Sequence, residues 1–100
     1  MNVYWLTFRI EHNSGYNARY QALQEAVKAL ATMPWWVEST SFIVFQSTLG
    51  IDAVAARLKA AIDPRLDMAL VGMSEFKSAR VIGNVTDADL FKLIPYVQRA

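Results

Sequence analysis

The 100-residue chain contains no cysteine. Disulfide frameworks, thiolate zinc sites and cysteine nucleophiles are excluded together, and the composition is compatible with a reducing compartment. Net charge is also scarce: ten Lys and Arg against nine Asp and Glu leave a formal charge of +1. No global field therefore points to nucleic acid or to a cationic partner. The four glycines and three prolines are scattered, which leaves no glycine-rich phosphate loop and no proline-rich or low-complexity tract. Nowhere do ~18 apolar residues run uninterrupted, so no membrane-spanning helix is expected. Met1-Asn2-Val3-Tyr4-Trp5 lacks the basic n-region of a signal peptide, and the expected location is the cytoplasm.

What the chain does have is apolar surface. Its hydrophobic share is 54% and its charged share 19%, against roughly 45–50% and ~25% for an ordinary soluble domain. Disorder is excluded on that ground, and the length fits one domain spanning residues 1–100. A domain this small buries only about 60–70% of its unfolded surface, so the apolar surplus exceeds what one small core readily hides.

Residues 3 to 11 alternate, with Tyr4, Leu6, Phe8 and Ile10 on one face and Val3, Trp5, Thr7, Arg9 and Glu11 on the other. That period of two predicts a strand, closed by the turn residues Asn13-Ser14-Gly15. From Tyr16 to Met33 the spacing changes to a helical stripe, Tyr20, Leu23, Val27 and Leu30, expected to stop at Pro34. Trp35 to Gln46 reads as a second strand region, with Phe42-Ile43-Val44-Phe45 apolar on both faces. Trp35 and Trp36 should then point to opposite faces.

Thr48 is the expected N-cap of a second helix carrying Ile51, Val54, Ala55, Leu58 and Ile62, ended by Asp63-Pro64. Met68 to Met73 reads as a third strand, 75–78 as a loop, and Val81-Ile82 as a short extended piece. Whether 79–84 form a fourth strand is open at this point. Thr86-Asp87-Ala88-Asp89 has the form of a capping box, opening a helix through Leu90, Phe91 and Ile94 that meets Pro95. The order predicts an α+β, ferredoxin-like (split β-α-β) antiparallel sheet with helices on one face plus a C-terminal helix.

The opening strand Tyr4-Trp5-Leu6-Thr7-Phe8-Arg9-Ile10, the helix segment Tyr20…Glu25-Ala26-Val27-Lys28-Ala29-Leu30, the Trp35-Trp36 pair before Glu38-Ser39-Thr40-Ser41-Phe42-Ile43-Val44, and Asp67-Met68-Ala69-Leu70-Val71 together resemble a known family. They look like the SinR-like small proteins related to the CRISPR-associated endoribonuclease that dimerises in the spacer-acquisition complex. The resemblance covers about 90 of the 100 residues. It implies a ferredoxin-like fold and a homodimer packed through the sheets. In those relatives the first strand ends in an aspartate that pairs across the dimer to hold a divalent metal. Here the matching position is Arg9, which cannot ligate Mg²⁺.

Three readings of function follow. The first is a homodimer without catalytic residues and without cofactor or metal, with Trp5, Val3 and Trp36 at the dimer interface and a protein or nucleic-acid partner. In that reading Arg9, Arg19, Lys77 and Arg80 are the nucleic-acid-binding candidates, beside Trp5 or Trp35 as stacking rings. The second is a metal-dependent ribonuclease in which Glu11 and His12 serve as ligand or general base; the competing account is a solvated strand end before a turn. The third is a regulatory module of toxin–antitoxin type. Asp52, Asp63, Asp67, Asp87 and Asp89 fall at helix ends or loops, where capping explains most of them. Ser39, Thr40 and Ser41 have no partnered base besides His12, so a serine triad is unsupported.

Overall fold

The alternation of the opening segment does make a strand, β1 (Asn2–Arg9). It is followed by α1 (Tyr16–Leu30), β2 (Thr32–Trp36), β3 (Phe42–Ser47), α2 (Ile51–Ala61), β4 (Met68–Met73), β5 (Ala79–Gly83), α3 (Asp89–Leu93) and β6 (Val97–Arg99). The computed structural model describes residues 1–100 as an α+β chain with one six-stranded sheet, in the order β2-β3-β1-β4-β5-β6. The expectation of a purely antiparallel sheet is corrected: β5 and β6 run parallel, while every other neighbouring pair is antiparallel.

Central β1 carries the core on its even-numbered face. Tyr4 lies opposite Phe45 and Met73, Leu6 opposite Ile43 and Val71, and Phe8 opposite Ala69. α1 contributes Leu23, Val27 and Leu30 to the same core, and α2 contributes Val54, Ala55 and Leu58. Both helices therefore cover one face of the sheet, as the 3.6-residue stripes require. The buried Tyr4 hydroxyl donates to the Leu49 carbonyl at 2.8 Å, fixing the β3–α2 connection.

Several expectations need correcting. The first helix ends at Leu30 rather than at Pro34, because Ala31 is already extended. Pro34 restricts the residue before it to extended backbone, and Thr32–Trp36 becomes an edge strand, the place in a sheet where a missing N–H is tolerated. The expected single strand 35–46 is thus two, β2 and β3, paired antiparallel with Trp35 opposite Phe45 and Trp36 opposite Val44. Thr48 does not cap α2; Gly50 holds that position without a side-chain bond, and Ser47 Oγ accepts from the Leu49 N–H instead. The capping box beginning at Thr86 is also absent. Asp87 accepts from the Asp89 N–H at 2.9 Å, and the helix begins only at Asp89.

Residues 79–83 do form a strand, and Pro95 is followed by β6, which lacked a legible pattern. The C-terminal helix lies on the face opposite α1 and α2. There Ala79, Val81 and Val97 form a second cluster packed by Met68, Leu70, Val85, Leu90, Phe91 and Ile94. No helix is long and apolar enough to cross a membrane.

Gly83 closes β5 at φ +88°, and a Cβ there would collide with the Asp67 backbone carbonyl. Gly83→Ala is expected to lower stability by about 1–3 kcal/mol, read as a drop in the urea unfolding midpoint. A midpoint equal to that of the parent protein would contradict this account.

Candidate functional site

The end of the sheet where β1 finishes is built on a buried carboxylate. Asp67, just before β4, is fully buried, and each of its oxygens accepts two hydrogen bonds. Oδ1 takes the Glu11 N–H at 2.8 Å and Arg19 Nη2 at 3.2 Å. Oδ2 takes Arg19 Nε at 2.8 Å and the Asp63 N–H at 2.9 Å. Arg19 stands one turn into α1, and its remaining donors reach the Glu11 carbonyl and Asn13 Oδ1, both at 3.1 Å. One ion pair thus joins the end of β1, the start of α1, the end of α2 and the start of β4. A buried charge is tolerable only when it is paired and fully hydrogen-bonded, and no buried side-chain polar atom in the chain lacks a partner.

Burial pushes the Asp67 carboxyl upward. The bonds from Arg19, from the Glu11 and Asp63 amides, and the Arg19 charge outweigh it, so its pKa lies below the ordinary value. The Asp63 carboxyl is lowered too, first by the hydrogen bond from Arg65.

The turn held by this network presents three rings in a ladder. His12 stacks on Tyr16 with centroids 4.3 Å apart and planes 10° apart, and Tyr16 stacks on Tyr20 at 5.9 Å. The four-residue step puts both tyrosines on one side of α1. Tyr20 meets Phe8 edge-on and donates its hydroxyl to the Thr40 carbonyl at 2.8 Å. Between the ladder and the 40–41 segment lies a cleft of about 230 Å³.

On the other face of the sheet, a row crosses all six strands: Trp36, Val44, Trp5, Gly72, Ala79 and Val97. α3 and its flanks cover the β4–β6 half. The β2–β3–β1 half, with Trp36, Phe42, Val44, Trp5 and Val3, has no cover. The Trp5 ring lies on Gly72, where a Cβ would strike it. Trp36 is 44% exposed, meets Phe42 edge-on, and donates Nε1 to Glu38. A depression of about 340 Å³ opens beside it.

The expected dimer residues Val3, Trp5 and Trp36 are therefore brought together on one uncovered face. The four expected nucleic-acid cations are not. Arg19 is spent on Asp67, and Arg80 lies on the helix-covered side, paired with Asp52 at 2.8 Å and only 14% exposed. Lys77 sits in the β4–β5 loop at the end where β1 begins, and Arg9 at the end where β1 finishes. Arg9 donates to the Asn84 carbonyl at 2.9 Å. Trp35 packs toward the main core, away from Trp5. Glu11 is held by its backbone, and neither its side chain nor the His12 ring forms a hydrogen bond. No group of three or more His, Cys, Asp or Glu side chains comes together to hold a metal.

Sequence reasoning assigned Asp67 to capping and missed its pairing with Arg19, 48 residues away. The tyrosine spacing of four was a visible signal for part of the ladder; the His12 stack was not. No protein-family model, curated protein or solved structure matches the chain.

Because the folded-state pKa of Asp67 is depressed, its contribution to stability is complete above the ordinary carboxylate value and is lost as pH falls through the folded one. Asp67→Asn should cost about 3–5 kcal/mol near neutrality, the usual result of breaking a buried ion pair. It should also flatten the fall in urea midpoint between about pH 5 and pH 2, where a depressed aspartate titrates. A residual slope from Asp63 should remain. An unchanged acid slope in the variant would remove Asp67 from this role.

Proposed function

We propose that the protein is a ferredoxin-like homodimer of the SinR-like kind, working as a binding module rather than as a nuclease, with its sheets packed face to face. The strand order β2-β3-β1-β4, with α1 and α2 crossing over on one face, supports the ferredoxin-like reading; β5 and β6 extend it. The observation that carries the dimer is the uncovered half-face running from Trp36 through Val44 to Trp5 and Gly72. No charged side chain interrupts that row. An exposed contiguous apolar patch marks an interaction site, and a neutral patch can meet its own copy across a two-fold axis without charge repulsion.

The arrangement also bears on chemistry. The residue matching the metal-binding aspartate of the relatives is Arg9. Glu11 and His12, the remaining candidates, lie beyond the strand, and His12 is stacked against α1 on the helix-covered side. Dimerisation through the opposite face leaves the two His12 rings apart, so it does not complete a metal site from two incomplete halves.

Light scattering should give a mass near twice 11.3 kDa. Trp36→Glu places two like charges in the interface, at a cost of several kcal/mol, so the dissociation constant should rise at least about tenfold per 1.4 kcal/mol. Because Trp36 lies outside the core, the circular dichroism spectrum should not change. A parent protein that remains monomeric at high micromolar concentration would sink the reading.

A further inference from the structure

The short helix α3 does not close completely over its half of the sheet. A depression of about 200 Å³ remains between the end of β1, the start of β4 and the segment leading into α3. Met68, Leu70, Val85 and Leu90 line it, and all four are only partly buried against the second cluster. Two opposite charges line it as well, Arg9 and Asp87. Arg9 lies opposite Met68 in the β1–β4 register, and its Nη2 donates to the Asn84 carbonyl at 2.9 Å. The Asn84 N–H is tied in turn to the Asp67 carbonyl, so the guanidinium is anchored through the backbone. It carries five N–H donors, spends one on Asn84, and forms no ion pair. Asp87 accepts from the Asp89 N–H through Oδ1, and its Oδ2 has no partner within the chain. The ion pairs of the chain involve other residues. Arg9 and Asp87 thus share one depression without meeting each other.

We infer that this depression binds a free α-amino acid with an apolar side chain of about the size of leucine. The carboxylate goes to Arg9, the ammonium to Asp87 Oδ2, and the side chain onto Met68, Leu70, Val85 and Leu90. The two charges decide the class of ligand. A simple anion gains from Arg9 but meets Asp87, and a simple amine gains from Asp87 but meets Arg9. A purely apolar molecule takes water from both charges and gives nothing back, which is costly. A zwitterion answers both, and a guanidinium takes a carboxylate through two parallel N–H bonds. A mostly apolar lining with a few polar groups that fix orientation is the usual make-up of a small-molecule site. At about 200 Å³ the space falls below the roughly 300–1,000 Å³ of sites for drug-sized ligands, which suits a single amino acid. Because Asn84 already holds Arg9, less side-chain ordering remains to oppose binding.

Calorimetric titration with L-leucine, isocaproate, isoamylamine and glycine reads each part of the ligand in turn, since the last three lack the ammonium, the carboxylate and the side chain respectively. Saturable leucine binding is expected. Each analogue should bind about 10- to 150-fold more weakly, the range for one hydrogen bond to a charged group or one buried aliphatic side chain. Arg9→Gln should erase the advantage of leucine over isoamylamine. Asp87→Asn, which keeps an acceptor for the Asp89 N–H, should erase its advantage over isocaproate. Both positions are exposed, and circular dichroism checks that both variants fold. The inference is overturned if leucine does not bind saturably, if isocaproate or isoamylamine binds as tightly as leucine, or if both variants leave leucine affinity unchanged. Glycine binding as tightly as leucine would overturn the assignment of the apolar lining. The site is built from one chain alone, so Trp36→Glu should leave leucine affinity unchanged, and failure of this site is read separately from failure of the dimer.

Discussion

Asp67 carries a charge into a place without water, and the end of the sheet where β1 finishes is arranged around satisfying it. Its side chain accepts four hydrogen bonds, two of them from Arg19, its N–H donates to the Asp63 carbonyl, and its own carbonyl accepts from the Asn84 N–H. Five segments distant in sequence converge on one residue: the end of β1, the first turn of α1, the close of α2, the start of β4 and the exit from β5. Gly83 belongs to the same constraint, because only a residue without a Cβ passes the Asp67 carbonyl at that φ. A buried pair of this kind adds little over well-packed apolar residues, but losing either partner leaves an uncompensated charge. Its physical consequence is geometric: the strand ends cannot slide relative to α1 without breaking several charged bonds at once.

The 12–16 turn inherits that rigidity. Asn13 Oδ1 accepts both from Arg19 and from the Gly15 N–H, so the chain between β1 and α1 is tied at both ends, and His12 stands between the ties. An exposed histidine on a free loop would sample many rotamers. Here its ring is held parallel to Tyr16, which is itself seated on the core through Tyr20 and Phe8. Structure runs outward from the buried carboxylate, through the clamped turn, to the exposed ring.

How far these features were legible depended on whether their causes were local. β4 was readable with its full bounds, since Met68–Met73 is a short apolar run between turn residues. The alternation at Trp35–Trp36 gave the correct opposition of faces. The stretch 31–34 misled because Pro34 was read as the helix stop, whereas extended backbone had begun three residues earlier and paired as an edge strand. Thr48 and Thr86 had the composition of caps, but Ser47 and Asp87 reached the nearby amides instead, a competition between neighbouring short polar side chains that composition alone cannot resolve. The Arg19–Asp67 pair was invisible for a deeper reason. Nothing in either residue's neighbourhood marks it, and only the tertiary fold brings them together. β6 had no signal at all, because three residues paired to β5 need no periodicity of their own.

The apolar surplus of the composition finds two outlets on the second face of the sheet, and they are unequal. Over β4–β6 the chain covers itself: Leu90, Phe91 and Ile94 pack on Ala79, Val81 and Val97, and Arg99 lies 5.0 Å from the Phe91 ring. Over β2–β3–β1 it does not, and there the row is widest in side chain, with two tryptophans and a valine where the covered half has alanine and valine; Gly72, between them, lies under the Trp5 ring. Large rings on the uncovered half and small residues under the short helix are what two different covers would demand, one a five-residue helix that must approach closely and the other a surface from outside the chain. The asymmetry of side-chain size across a single row of one sheet is thus itself an argument that the open half is shaped for a partner. The His12–Tyr16–Tyr20 ladder, on the far side of the sheet and held by Asp67, lies apart from that open half.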